Sequence, residues 1–189
     1  MLSYISKLKA KEIKQAFIVG SFLKDADYRD IDILLVSESK TEEEVYEKLT
    51  EKFGLKFHVI SIPDERFKTL IEICPLTRNM LFSYASNKKF KLPEKKIDKE
   101  HINFLLMMPE DLLKIKAGGR VFYDIIRRLV TIENFLEKEN PEKINSELKK
   151  ILGNLFDILR KDDKINEEII KKLRKIIKSK LNIIKKKIN

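Results

Sequence analysis

The apolar positions change their period near residue 100. Before that point short apolar runs alternate with turn residues, the pattern of strands and helices linked by tight connections. Phe17-Ile18-Val19 and Ile31 to Val36 predict strands over about 16–20 and 31–37, and Leu55 to Ile62 predicts a third. Leu2, Ile5, Leu8 and Ile13 fall near helical spacing, which predicts a leading helix over residues 2–14. Thr41-Glu42-Glu43-Glu44 reads as a capping box opening a helix that ends at Gly54. Pro63 stands at a first-turn position and opens a helix carrying Phe67, Leu70 and Ile71. The fold class this implies is α/β (α+β), a small mixed sheet with flanking helices.

Residues 75–99 are less regular. Thr77 to Tyr84 has helical character, and Lys89-Phe90-Lys91-Leu92 reads as a short strand or a loop; its lysines and Pro93 suggest a solvated connection. Beyond it the period is helical throughout. Pro109-Glu110-Asp111 predicts the start of a short helix stopping at Gly118-Gly119, and Arg120 to Glu139 carries Phe122, Ile125, Ile126, Leu129, Ile132, Phe135 and Leu136 on one stripe. Pro141 opens the next helix, running through Ile144, Leu148, Ile151, Leu152, Leu155, Phe156 and Leu159, and Asp162-Asp163 caps a last one. Short connections favour antiparallel packing, so the expected organisation is a sheet domain over 1–95 followed by an all-α domain over 96–189. Met107-Met108 and Phe104-Leu105-Leu106 read as packing residues rather than a ligand pocket.

The chemistry lies where the first two strands meet. Phe17-Ile18-Val19 runs into Gly20-Ser21, and after a polar spacer the next strand opens with Asp30 and Asp32 in alternate positions. Alternate residues of a strand share a face, which sets these carboxylates roughly 7 Å apart. At an effective dielectric of about 20, charges ~6 Å apart repel by roughly 3 kcal/mol, which a divalent cation between them removes. Hard oxygen ligands with no histidine or cysteine beside them point to magnesium or manganese rather than zinc. A turn at Gly20-Ser21 would offer backbone amides and a hydroxyl to phosphate oxygens, with Gly20 allowing close approach.

Gly-Ser, a short spacer and Asp-x-Asp, with a strand on either side, resembles the DNA polymerase beta-like nucleotidyltransferase superfamily, especially its minimal members. The resemblance covers roughly residues 10–70. It implies that Asp30 and Asp32 hold metal ions around a nucleoside triphosphate, with ATP the expected one. Gly20 and Ser21 would hold the distal phosphates, and a nucleoside monophosphate would pass to a hydroxyl acceptor with release of pyrophosphate. Two departures stand out: the eight-residue spacer begins Phe22-Leu23-Lys24 rather than with a small and a basic residue, and the next strand carries His58 where the family has a third carboxylate. His58 could take the acceptor proton or ligate a metal, or it could fill a gap in the sheet with one hydrogen bond. Asp64 and Glu65 follow Pro63, which ends the strand, so neither replaces the missing acid. Asp25 and Asp27 read as solvated spacer residues.

Composition places the chain among proteins with a real core: 43% of its 189 residues are apolar. One cysteine, Cys74, excludes an internal disulfide. Met1 to Gln15 alternates apolar residues and lysines too evenly for a signal peptide, and no apolar run is of membrane length, so the expected location is the cytoplasm, with no membrane partner. Net charge is +10, and residues 164–189 carry ten lysines and arginines against two glutamates. That helix could follow a phosphate backbone, with Lys185-Lys186-Lys187 at its end, or be a solvated face. Arg120 and Arg127, seven apart on one helix face beside Arg128, could meet triphosphate or be surface arginines. The alternatives to nucleotidyl transfer are a nucleotide-binding protein with weakened catalysis, an antitoxin-type protein that modifies a partner protein or RNA, and an RNA-binding module using the basic helix. The acceptor could be a small molecule, RNA or protein.

Overall fold

The computed structural model describes residues 1–7, 12–23, 28, 30–39, 41–161 and 164–189. The chain divides into two compact units, Met1–Lys96 and Ile97–Asn189. The first holds α1 (Leu2–Ile5), β1 (Ile13–Val19), β2 (Ile31–Ser37), α2 (Glu42–Phe53), β3 (Phe57–Ile62), α3 (Asp64–Ile73), α4 (Pro75–Met80) and β4 (Tyr84–Ser86). Its sheet is mixed, in the order β3-β2-β1-β4; β1 is antiparallel to β2 and β4, and β2 is parallel to β3.

Both faces of the sheet are covered, which is why β1 and β2 read as nearly continuous apolar runs. On one face Ala16, Ile18, Ile31, Ile33 and Leu35 pack with Ile5, Val45, Leu49 and Phe57, burying α1 and α2. On the other Phe17, Val19, Leu34 and Val36 pack with Phe67, Ile71 and Leu81, and with the partly buried Tyr84 and Phe90. Phe17 is the hub of an aromatic cluster there, its ring centroid 5.6 Å from Phe67, 5.6 Å from Tyr84 and 5.0 Å from Phe90. Truncating such a fully buried ring costs about 3–5 kcal/mol.

Several expected elements are corrected. The leading helix ends at Ile5 and Ile13 already belongs to β1, because its pairing opposite Ser37 overrides the local helical spacing; residues 8–11 lie outside the described residues. Thr41 is the N-cap of α2 but makes no capping bond with its side chain, and its hydroxyl is buried without a partner among the described residues, so the capping box does not form. The helix ends as expected at Gly54, which is left-handed with φ +63°. Pro63 is the N-cap of α3 rather than its first turn. Tyr84 ends up in β4, not in a helix, and Lys89 to Leu92 is loop.

The second unit is helical: α5 (Lys99–Leu112), α6 (Gly119–Leu136), α7 (Glu142–Leu152), α8 (Leu155–Lys161) and α9 (Glu167–Ile188). The strongly apolar α6 packs against each of the other four, its Phe122, Ile126, Leu129 and Ile132 fully buried. Pro109 lies inside α5 instead of opening a helix; Asp98 is the N-cap, its side chain accepting a bond from the His101 amide. The single helix expected from Pro141 to Leu159 breaks at Gly153, where φ is +55°. Asn166 caps α9 through the Ile169 amide, and the expected cap at Asp162-Asp163 lies outside the described residues. Leu105 and Leu106 are buried as packing residues, whereas Phe104, Met107 and Met108 are exposed. Among the described residues no helix is long and apolar enough to cross a membrane.

Candidate functional site

The site is built across three strand ends. In the ladder Asp32 of β2 stands opposite Val19 of β1 on one side and His58 of β3 on the other. Strand alternation puts Asp32 on the face of Leu34 and Val36, and His58 on the face of Ile60 and Ile62, so both side chains emerge on one face of the sheet. They meet there: His58 Nδ1 lies 3.1 Å from Asp32 Oδ1. An ionised carboxylate can only accept, so Nδ1 carries the shared proton, and in the neutral ring Nε2 presents a lone pair. The Asp32 side chain is one-third exposed, at 33%, and that of His58 is 61% exposed, so solvent and ligands reach the pair.

The second carboxylate oxygen is set by Gly20. Its φ is +85°, and a Cβ built on it would lie 2.5 Å from Asp32 Oδ2. Only glycine leaves room for the carboxylate in that position. Gly20 was expected to let the backbone approach a phosphate, and the closer constraint is this approach to Asp32. Ser21, exposed, starts a single 3-10 turn, Ser21–Leu23, whose three residues supply no macrodipole of consequence. A phosphate at this turn would meet the hydroxyl and individual backbone amides rather than a helix end.

Asp30 immediately precedes β2 and is half-buried. The neighbouring Ile31 amide donates to the Lys56 carbonyl at 3.0 Å, tying the start of β2 to the residue ahead of β3. One residue, Ile31, separates Asp30 from Asp32, and no hydrogen bond engages Asp30 among the described residues. Phe22 and Tyr28 meet edge to face at 4.9 Å and pack, with Leu23, on the α1/α2 core. That packing explains why apolar residues follow Gly20-Ser21. Asp25 and Asp27 lie outside the described residues.

Among the described residues no three His, Cys, Asp or Glu side chains gather as a metal cage. Fewer protein ligands can suffice for some ions. Magnesium is commonly held by one or two carboxylates, with water and substrate phosphates completing its shell. Asp30 and Asp32 could supply hard oxygens of that kind, while Nδ1 of His58 is already engaged with Asp32.

The other candidates are drawn into structural roles. Asp64, following Pro63, is bound by Lys14 at 2.9 Å and Lys68 at 3.0 Å, and these cations, Lys14 first, hold its carboxyl below the usual range. Arg120 donates to Asp124 and to the Arg160 carbonyl and lies over the Tyr123 ring, all within the helical unit. On α9, Lys180 pairs with Glu133, Lys185 with Glu110, and Lys187 with Glu133 and Glu137. Two of the three terminal lysines are thus tied to neighbouring helices, whereas Lys171, Lys175, Lys178 and Lys186 lie exposed on the opposite side from the buried Leu173, Ile177 and Ile184.

Sequence reasoning missed one feature. A cavity of about 610 Å³ is lined by Tyr84, Ser86, Lys88, Lys89, Phe90 and Lys91. The available signal was three lysines interleaved with an aromatic residue directly after a strand. Comparison of the chain with protein-family models, with curated proteins and with solved structures finds no match.

Proposed function

We propose that the protein is a metal-dependent nucleotidyltransferase that moves a nucleoside monophosphate from a triphosphate, ATP foremost, to a hydroxyl acceptor. The observation that carries this reading is Asp32, oriented between Gly20 and His58 at the end of the sheet, two residues after Asp30 and beside the Gly20-Ser21 turn. Asp30 and Asp32 would hold magnesium or manganese, which when bound neutralises charge on the phosphates. Ser21 and the neighbouring amides bind distal phosphate oxygens. His58, its Nδ1–H fixed by Asp32, offers Nε2 as acceptor for the hydroxyl proton, a role in which a positioned imidazole contributes about 10²–10⁴-fold. The acceptor oxygen then bonds to the α-phosphorus, the bond from that phosphorus to the bridging oxygen breaks, and pyrophosphate leaves.

The test is incubation with magnesium and α-labelled nucleotides, measuring pyrophosphate and labelled product. Asp30→Asn with Asp32→Asn should abolish both while leaving the circular dichroism unchanged, and EDTA should do the same to the unaltered protein. Transfer undiminished in the double variant refutes the proposal. The His58 pairing in place of a third carboxylate favours a second reading, a protein that binds ATP and magnesium without transfer; it would bind nucleotide and release no pyrophosphate with any acceptor, including a co-purified protein. The exposed lysines of α9 favour RNA binding instead, which would be indifferent to both aspartate changes.

A further inference from the structure

The two edges of the sheet are finished differently. At one edge β4 is only three residues long and runs into Asn87, Lys88 and Lys89. A short strand with lysines beside it is closed to further pairing. At the other edge β3 runs for six residues, Phe57-His58-Val59-Ile60-Ser61-Ile62, with no acidic residue, lysine, arginine or proline and an unbroken register against β2. The register shift that the sheet does contain lies in β1, between Ile13 and Gln15.

The bond from the Ile31 amide to the Lys56 carbonyl fixes which main-chain groups of β3 face β2. Alternate residues of a strand turn their N–H and C=O to the same side, so Lys56, His58, Ile60 and Ile62 face β2, and Phe57, Val59 and Ser61 turn theirs outward. Among the described residues none of those outward main-chain groups meets a hydrogen-bond partner. Along this edge Val59, Ile60, Ser61 and Ile62 are half-buried and His58 is exposed. An apolar edge of this length with unpaired main-chain groups is a template for another strand.

We propose that β3 pairs with β3 of a second copy of the chain, antiparallel about a two-fold axis at Val59, so that the two sheets become one. An antiparallel ladder needs outward-facing residues opposite one another, and centring on Val59 achieves this for all of them. Val59 faces Val59, and Phe57 faces Ser61 in both directions, which supplies about six hydrogen bonds. The two ends of β3 also carry opposite charge. Lys56, just before it, is exposed, and Glu65, just after it, is 87% exposed. Antiparallel pairing sets Lys56 of each copy beside Ile62 and toward Glu65 of the other, whereas parallel pairing would bring like ends together. This edge therefore complements itself, as a closed two-fold contact requires, and the blunted β4 edges left at either end of the joined sheet stop further growth.

The same register reaches the Asp32–His58 pair. Ile60 of the second copy stands opposite His58 in a non-hydrogen-bonded pair, where Cα atoms are about 4.5 Å apart and side chains are closest. It covers one flank of the imidazole, so the second copy adds a residue to the site. The pairing does not depend on nucleotidyl transfer and stands or falls separately from it.

The experiment uses the full chain. Sedimentation equilibrium from about 1 to 200 µM should show the mass rising toward twice 22.3 kDa. Over the same series amide exchange followed by NMR should slow at Phe57, Val59 and Ser61, and modification of His58 by diethylpyrocarbonate should slow with it. Val59→Pro removes the central outward N–H without touching a bond to β2 and should leave a monomer. Because the Val59 side chain also packs on the α2 side of the core, charge variants on the surface provide a test that spares the fold. Lys56→Glu and Glu65→Lys each set like charges together at both ends and should weaken the dimer about 10-fold. An equimolar mixture of the two, or both changes in one chain, should restore it. A mass of one copy throughout, outward amides whose exchange does not vary with concentration, or charge variants that mixing does not rescue overturns the pairing. Protection of those amides in a monomer, by a segment of the same chain or a co-purified peptide, overturns the second copy as occupant. Unchanged His58 modification in a dimer overturns the register centred on Val59.

Discussion

Replacing Gly20 with alanine tests the construction of the site most directly. Two costs add. Alanine in a left-handed backbone conformation costs about 1–2 kcal/mol, and at Gly20, φ is +85°. Its Cβ would also meet Asp32 Oδ2 at 2.5 Å, so the one-third-exposed carboxylate must turn off its rotamer and away from His58, which costs about 0.5–1.5 kcal/mol. Gly54 provides the control, with φ +63° and no atom within 4 Å of a built Cβ, so Gly54→Ala bears the backbone cost alone. Thermal and urea unfolding followed by circular dichroism should rank Gly20→Ala well below Gly54→Ala. For a unit of this size an additional ~1 kcal/mol corresponds to a further fall in Tm of roughly 4–8 °C. Asp32→Ala should relieve the contact, so a cycle of Gly20→Ala with Asp32→Ala should show coupling of about 1 kcal/mol. Equal destabilisation by the two glycine changes, with coupling under about 0.5 kcal/mol, would refute the claim that Gly20 exists to seat that carboxylate.

Three further outcomes follow from the same geometry. His58→Gln keeps a hydrogen-bonding side chain beside Asp32 but removes the basic Nε2, so metal and nucleotide binding by calorimetry should persist while transfer falls about 10²–10⁴-fold; unchanged transfer would return His58 to a gap-filling role. The Asp64 carboxyl is held low by Lys14 and Lys68, so its contribution is complete above the unfolded carboxylate range and is lost as pH falls through the folded value. The urea midpoint should therefore drop on acidification from roughly pH 5 to 2, with the drop shallower in Asp64→Asn. In the helical unit Glu133 is 14% exposed and meets both Lys180 and Lys187, whereas Glu137 is 55% exposed. Glu133→Ala should cost about 1–3 kcal/mol in denaturant unfolding by stranding a half-buried ammonium, and Glu137→Ala no more than about 1 kcal/mol.

Much of the local structure was legible because it depends on local chemistry. The run Ile31 to Val36 was expected as a strand over 31–37, and β2 occupies Ile31–Ser37, since a segment buried on both faces has an unbroken apolar signal. Gly54 closes α2 in the left-handed conformation that glycine tolerates best. Misreadings arose where a distant partner or a single dihedral angle decided. Ile13 fits a helical stripe until β2 pairs with it. Ile151, Leu152, Leu155 and Phe156 keep helical spacing across Gly153, so periodicity conceals the break that one left-handed glycine makes. Asp98 caps α5 three residues ahead of His101, but Pro109 gave the more conspicuous local cue and lies inside the helix.

By itself, the order of residues determined which side chains could do chemistry: two alternate aspartates, a glycine-serine turn ahead of them and a histidine on a later strand. Tertiary structure alone decided which of them meet. The parallel pairing of β2 with β3 sets His58 beside Asp32, and the close approach of β1 makes Gly20 the wall behind the same carboxylate. Register between strands is a property of whole packed faces, in which a one-residue slip would turn every core side chain outward, and no short motif encodes it. The antiparallel pairing of β4 with β1 carries Tyr84 to the other edge of the sheet and leads the lysines after it down toward Gln15, a placement that a reading residue by residue left as a solvated loop.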